Sequence, residues 1–255
     1  LLSNLIRMNQ SEKTIYPHVS VDCVVLGFDG MHFKVLLLKR TGMEGETHFS
    51  DLKLPGRLIY SNEDLDEAAQ SVVVELIHST TIFLHQFRSF GSPSRTSNPR
   101  DLHWLENAVK LKIGRIITVG YLALIRIDDK LRFKSDTLQA TWVPVREVGK
   151  LAFDHNVIVQ EAMHEVSRYV TMDPSVVFNL LPKRFTASQM RTLFEELFDQ
   201  AMDVRNFHKK MSRMNYLVAT DEFEHGVAHR AARFYRFDKK IYLKSHGGFN
   251  LNSSL

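Results

Sequence analysis

The sequence predicts an α+β protein of two domains: a mixed sheet sandwiched between helices, then a smaller unit of two helices and a hairpin. Three observations predict it. Over residues 17–172, strand-like and amphipathic runs follow in the order strand, strand, strand, helix, strand, strand, helix. A proline-containing break, TMDPSVVF at 171–178, ends the helical period there. Beyond the break the charge changes sign. Residues 1–174 carry 20 Lys/Arg against 21 Asp/Glu, whereas residues 175–255 carry 13 against 8. All the positive excess lies in the last third, the asymmetry expected when one end meets a polyanion.

Composition narrows the class further. At 255 residues and 44% hydrophobic content, two modest domains can each bury a core. The single Cys23 excludes an internal disulfide framework and fits a reducing cytoplasmic setting. No apolar stretch reaches membrane-span length, so no membrane partner is expected. Residues 1–16 form an N-terminal extension whose LLSNLIRMNQSEK lacks the sustained apolar core of a signal peptide. Met8 is a candidate natural start.

The elements follow in order. VSVDCVVLGFDGMHFKVLLLKR, residues 19–40, reads as two strands joined at the turn signal Asp29-Gly30. Residues 41–50 read as a polar loop, and DLKLPGRL as a short strand. Between Asp64 and Ile77, Leu65, Ala68, Ala69, Val72, Val73 and Leu76 recur at helical spacing, with Asn62 or Ser61 as N-cap. FRSFGSPSRTSNPR, residues 87–100, is a loop rich in Ser, Pro and Gly. RIITVGYLALIRI and LQATWVPVREV are strands, and residues 153–170 form an amphipathic helix opening at Asp154.

In the basic third, residues 173–255, Thr186 and Gln189 form a capping box. Met190, Leu193, Phe194, Leu197 and Phe198 follow at helical spacing, and Asp203 caps a second helix with Val204, Phe207, Met211 and Met214 inward. Its outer face carries Arg205, Asn206, His208, Lys209, Lys210, Ser212 and Arg213. YLVAT and ARFYRF read as a hairpin. This order suits a winged helix-turn-helix on duplex DNA. Arg205 and Asn206 are placed for base edges, and Lys209, Lys210 and Arg213 for phosphates. Lys183, Arg184, Thr186, Ser188, Gln189 and His208, with His229, Arg230 and Arg233 of the hairpin, complete the candidate DNA face.

The stretch GRLIYSNEDLDEAAQSVVVELIHS, residues 56–79, has the layout of a Nudix box, in which a glycine, a glutamate, an arginine and a run of glutamates serve a metal-dependent phosphohydrolase. The box glycine falls on Arg57 and the first glutamate on Glu63. The arginine becomes Ser71, the next glutamate Val72, the Glu-Glu pair Glu75-Leu76, and the last glycine His78. Magnesium needs several carboxylate oxygens, and only Glu75 remains at a ligand position. No cofactor, no metal and no catalytic residue is therefore expected.

Together with VLLLKR (35–40), LAFDH (151–155), FNLLPKRFTASQ (178–189) and RNFHKKM (205–211), this degenerate box resembles the Nudix-related transcriptional regulators of the NrtR and AraR type. The resemblance spans residues 17 to 243. It implies a homodimer on palindromic operator DNA, with a Nudix-like α/β/α sandwich over residues 17–172 sensing a small molecule. That effector is a pentose such as L-arabinose or an ADP-ribose-like nucleotide. The stronger decay of the box favours the sugar. Candidate effector contacts are Lys39, Arg40, Arg57, Glu75 and Arg100, each of which also suits structural ion pairing. An insertion at 101–113, DLHWLENAVKLKI, departs from the family pattern. It is either a cover for the pocket or dimer contact, through Trp104 and Leu105, or a surface excursion. The alternative function is an ADP-ribose pyrophosphatase-like hydrolase with an atypical metal site.

Overall fold

A computed structural model describes residues 14–77, 83–127, 131, 139–226 and 231–246. Strands β1 (Ile15–Phe28), β2 (Phe33–Glu44), β3 (Thr47–Lys53), β4 (Gly56–Tyr60), β5 (Phe83–Phe90), β6 (Ile117–Arg126) and β7 (Ala140–Pro144) form one seven-stranded sheet. Its order is β3-β2-β1-β6-β5, with β4 also on β1 and β7 also on β2. The helices are α1 (Leu65–Leu76), α2 (Pro99–Val109) and α3 (His155–Met172). β1, β2 and β6 lie at the centre. Their runs Val21–Leu26, Val35–Leu37 and Tyr121–Ile125 are almost wholly withdrawn from water, which is why they read as continuous apolar stretches rather than alternating ones.

Four sequence expectations change here. The polar loop at 41–50 is instead a hairpin, β2 pairing β3 from Leu38↔Lys53 to Glu44↔Thr47. Cross-strand pairing overrides its polar composition. DLKLPGRL splits into two strands at Leu54-Pro55. FRSF, read as loop, is the end of β5, which pairs β6. The N-cap of α1 is Asp64 rather than Asn62 or Ser61, with Glu67 reaching back to the Asp64 N–H at 3.0 Å.

The chain divides into two compact units. The first comprises residues up to Leu26, Val35–Leu124 and Lys130–Ala162; the second comprises Gly27–Lys34, Ile125–Asp129 and Met163 onward. Helix α3 is thus continuous through both. Within the second unit lie β8 (Phe185–Thr186), α4 (Ala187–Phe198), α5 (Val204–Met211), β9 (Leu217–Phe223), β10 (Arg233–Phe237) and α6 (Lys239–His246). β8, β10 and β9 form a three-stranded sheet in that order. Its core is aromatic: Phe178 stacks on Phe237 at 4.0 Å between centroids, and Phe185, Tyr216 and Tyr242 close around them.

Among the described residues, no helix is long and apolar enough to cross a membrane.

Candidate functional site

The degenerate box keeps its shape through a displaced arginine. Arg57 Nη1 and Nη2 donate to the two Glu63 oxygens at 2.5 and 2.8 Å, and Nη2 reaches Ser71 Oγ at 2.7 Å. Glu63 also accepts from the Tyr60 N–H at 2.6 Å, and the guanidinium lies 4.5 Å from the Tyr60 ring centroid. The cation that the box would carry at 71 therefore arrives from β4, and the small Ser71 receives it. Gly56 permits this, because a Cβ there would lie 2.2 Å from Asp22 Oδ1 and 2.5 Å from Val21 O.

Two of the box's metal positions have joined the core. Val72 and Leu76 are buried on the inner stripe of α1, together with Ala68, Ala69 and Val73. Glu75 stands on the exposed face. Among the described residues, no three His, Cys, Asp or Glu side chains converge on a metal position. This donor set does not suit the several oxygens magnesium requires. His78 lies outside the described residues.

Beside the box opens a cavity of about 200 Å³ with two unlike walls. The polar wall is Asp22 from β1, Lys53 at the end of β3, Arg95 and His155. Asp22 Oδ2 accepts from Thr118 Oγ1 at 2.7 Å and from Arg95 Nη2 at 3.4 Å. Arg95 also grips Asp154 through two bonds of 3.0 and 3.1 Å. Burial opposes the charge on Asp22, but the charge His155 takes on when protonated, together with Arg95, Thr118 and Lys53, outweighs it and holds the carboxyl below its ordinary range. Lys53 donates to Leu54 O and Gly56 O. Burial lowers its pKa, against the opposing pull of Asp22.

His155 Nδ1 accepts the Leu54 N–H at 2.9 Å, so the proton of the neutral ring sits on Nε2, 3.6 Å from Asp22 Oδ1. Burial pushes the imidazole down to about 4.

The apolar wall comes from the insertion. Residues 99–109 form helix α2, with Asn98 Oδ1 accepting the Arg100 N–H as N-cap and Lys110 in the left-handed region at φ 59°. Leu102, Leu105 and Val109 pack on Leu58, Ile113 and Ile116, and Trp104, Leu105, Ala108 and Val109 line the cavity. The segment read as an insertion thus walls this cavity on one side.

It is fixed at its first turn. Buried Asp101 accepts from Arg40 Nη2 at 2.5 Å and from the Phe153 N–H at 3.0 Å. Arg40, itself fully buried, makes a fork with Asp51 at 2.7 and 2.6 Å. Its Nη1 has no hydrogen-bond acceptor among the described residues. The ring centroids of Phe49, Trp104 and Phe153 lie 5.2 to 5.3 Å from the guanidinium. Phe153 holds φ 54°, an outlier for a bulky residue.

A second cavity of about 430 Å³ adjoins, sharing Arg95 and Phe153 with the first and adding Arg88, Arg100 and Lys150. Its arginines are paired: Arg88 with Glu161, Arg95 with Asp154, and Arg100 with Asp51.

The five effector candidates thus separate. Arg57 lines the box-side cavity and Arg100 the adjoining one. Arg40 is consumed in the buried network, and Lys39 and Glu75 are exposed and line neither cavity. Asp22, Lys53 and Arg95 escaped the sequence reading because each comes from a different element, and His155 was read as a packed histidine. The one local signal was a lysine between two leucines in DLKLPG.

In the second unit, α4 carries the Thr186–Gln189 capping box, at 3.0 and 3.2 Å. It ends at Asp199 in the left-handed region, φ 49°. Asp203 then caps α5 through the Asn206 N–H at 2.8 Å, and Phe207 meets Phe194 of α4 at 6.2 Å. Phe207 and Met211 are buried, whereas Val204, expected inward, is half exposed because α5 has only two turns and its first lies off the core. Arg205, Asn206, His208, Lys209, Lys210 and Arg213 are all exposed. Lys183 and Ser188 are exposed as well. Arg184 pairs with Glu222 and Arg233 with Asp221. Thr186 is buried, and both it and Gln189 are spent on the cap. His229 and Arg230 lie outside the described residues.

Residues 177–237 match the family model of the NrtR DNA-binding winged helix domain. Among solved structures, Shewanella oneidensis NrtR complexed with a 27mer DNA superposes with a TM-score of 0.63 at 19% identity, over 86% of this chain and 93% of that one. A MutT/nudix family protein from Enterococcus faecalis superposes with a TM-score of 0.58 at 24% identity, over 93% of each. None of the curated proteins compared matches the chain. The fold is therefore the one seen in those structures, a Nudix-like sandwich followed by a winged helix, and residues 177–237 match the NrtR DNA-binding winged helix domain.

Proposed function

We propose that this chain, a Nudix-like domain joined to an NrtR-type winged helix domain, is a ligand-responsive transcriptional regulator whose Nudix-like domain senses rather than hydrolyses. It acts as a homodimer on palindromic operator DNA, placing two copies of α5 about one duplex turn apart. The observation that carries the DNA half is the face of α5, where Arg205, Asn206, Lys209, Lys210 and Arg213 all face solvent in a domain matching a DNA-binding family. The sensing half rests on Val72 and Leu76, which fill the core where a hydrolase would hold carboxylates.

Helix α3, like β1, β2 and β6, has residues in both units. Its first residue, His155, borders the box-side cavity, and Ser167 further along donates to Leu197 O of α4 at 3.0 Å. A ligand that tilts the start of α3 would bias the winged helix through it. By linkage, DNA then changes ligand affinity by the same factor.

The test is selection of genomic duplex fragments by the full chain, followed by salt titration. Lys209→Ala should weaken all sequences alike and reduce the salt slope by about 1. Arg205→Ala should relax preference at one base position, at a cost of about 1–3 kcal/mol. Retention of affinity and slope in Lys209→Ala would remove α5 from the interface. The larger adjoining cavity supports a second reading of the effector, an ADP-ribose-like nucleotide. Magnesium-dependent turnover of ADP-ribose, abolished by Glu75→Gln, would instead establish a hydrolase.

A further inference from the structure

We infer that the wing, the hairpin of β9 and β10, carries its own stand-ins for DNA. Asp221 and Glu222 occupy Arg233 and Arg184 in the free protein, and a duplex binds by exchanging those two carboxylates for phosphates. The inference rests on the DNA-binding reading above. It names two contacts of that interface and the residues that restrain them.

The carboxylates are presented by an irregularity in the sheet. Between the pairs Arg233↔Phe223 and Tyr235↔Ala219, β10 advances two residues while β9 advances four. The surplus bulges out of the ladder, which re-aims the side chains it carries. Thr220 holds it in place: its hydroxyl donates to Phe234 O at 3.1 Å and accepts the Glu222 N–H at 3.3 Å. Asp221 and Glu222 stand on this bulge, both exposed.

Each carboxylate then meets an arginine. Arg184 Nη1 donates to Glu222 Oε2, and Arg233 Nη2 donates to Asp221 Oδ1 at 3.2 Å. Arg233 Nε also donates to Thr220 O at 2.5 Å, which fixes the guanidinium against the bulge. The two arginine side chains are 59% and 43% exposed. Pairs so open to water are weak and screened by salt. A phosphate of the duplex can displace them, and each phosphate so neutralised releases condensed counterions.

Their place in the fold favours the exchange. Arg184 directly precedes β8, whose Thr186 caps α4, and the register Phe234↔Thr186 sets Arg233 next to the same cap. Both arginines thus flank the first turn of α4, alongside exposed Lys183 and Ser188. The N-terminal end of a helix attracts anions, so a phosphate drawn there comes within reach of both. The exposed cations of α5 take no part in either pair. Changing the pairs therefore leaves α5 as it is, and the two contributions can be measured apart.

Three full-length variants test this: Asp221→Asn with Glu222→Gln, Arg184→Gln with Arg233→Gln, and all four changes together. Their affinities for one duplex fragment selected by the wild type are measured by fluorescence anisotropy over a range of salt. Freeing the arginines should tighten binding by about fivefold, the contribution of two exposed pairs. The salt slope should barely change, because the same phosphates are met. Removing the arginines should weaken binding and cut the slope by about 2. In that background the gain from removing the carboxylates should shrink to less than about twofold, since the pairs are already gone. An undiminished gain there would mean plain charge repulsion and overturn the exchange. A slope unchanged by Arg184→Gln with Arg233→Gln would take both arginines off the duplex and overturn it as well. Either result spares α5, which Lys209→Ala tests separately. If the wild type retains no duplex even at low salt, the DNA-binding reading itself falls and takes this inference with it.

Discussion

Above pH 6.5 His155 is neutral in both folded and unfolded chains, and it costs folding nothing in proton affinity. Burial lowers its folded pKa from 6.5 to about 4, so between those values the unfolded chain binds the proton and the folded one does not. Its contribution is present above pH 6.5 and is lost as pH falls towards 4, by about 2 kcal/mol between pH 7 and pH 5. Asp22, also lowered, acts in the same direction. Thermal melts at the two pH values should show this loss, and His155→Asn, which can still accept the Leu54 N–H, should remove most of it. An equally acid-sensitive His155→Asn would place the titrating group elsewhere. Arg57 shows what the sequence could and could not say at this scale. Its two roles, ligand-facing cation or structural ion pair, were both legible. Its bond to Ser71 was not, because Ser71 marks the missing box arginine only once the two meet in space.

At the scale of elements, periodicity served well where one stripe faces one core. The inner stripe of α1 and the capped helix α4 follow from spacing because burial at i, i+3 and i+4 is a local property. The hairpin β2–β3 and the end of β5 were missed because polar residues on a sheet edge carry no such period. The segment 101–113 was legible as extra sequence, and its packing over the cavity was not. The anchor of α2 joins Asp101 to Arg40 across 61 positions and to Phe153 across 52. That anchor is itself testable. Asp101→Ala leaves a buried guanidinium with one carboxylate fewer, which should cost about 3 kcal/mol or more and release the Trp104 wall. Chemical denaturation should register that loss. A variant within 0.5 kcal/mol of wild type, roughly the size of an ordinary surface change, would mean that α2 is held by Leu102, Leu105 and Val109 alone.

On the proposed reading, the whole molecule joins a Nudix-like sensor to a winged helix that reads DNA. Composition carried the division of labour, since the positive excess begins where the winged helix begins. It could not carry the box-side cavity, the proposed ligand site, which draws on β1, β3, β4, α2, α3 and the loop before α2. The central claim is that one small molecule and one duplex bias the same protein. Its most direct test is the affinity of the full chain for a selected operator fragment, with and without a saturating aldopentose, and the pentose affinity with and without saturating operator. The account predicts that both affinities change by one common factor. An operator affinity that stays the same at saturating pentose, with the sugar demonstrably bound, would contradict it.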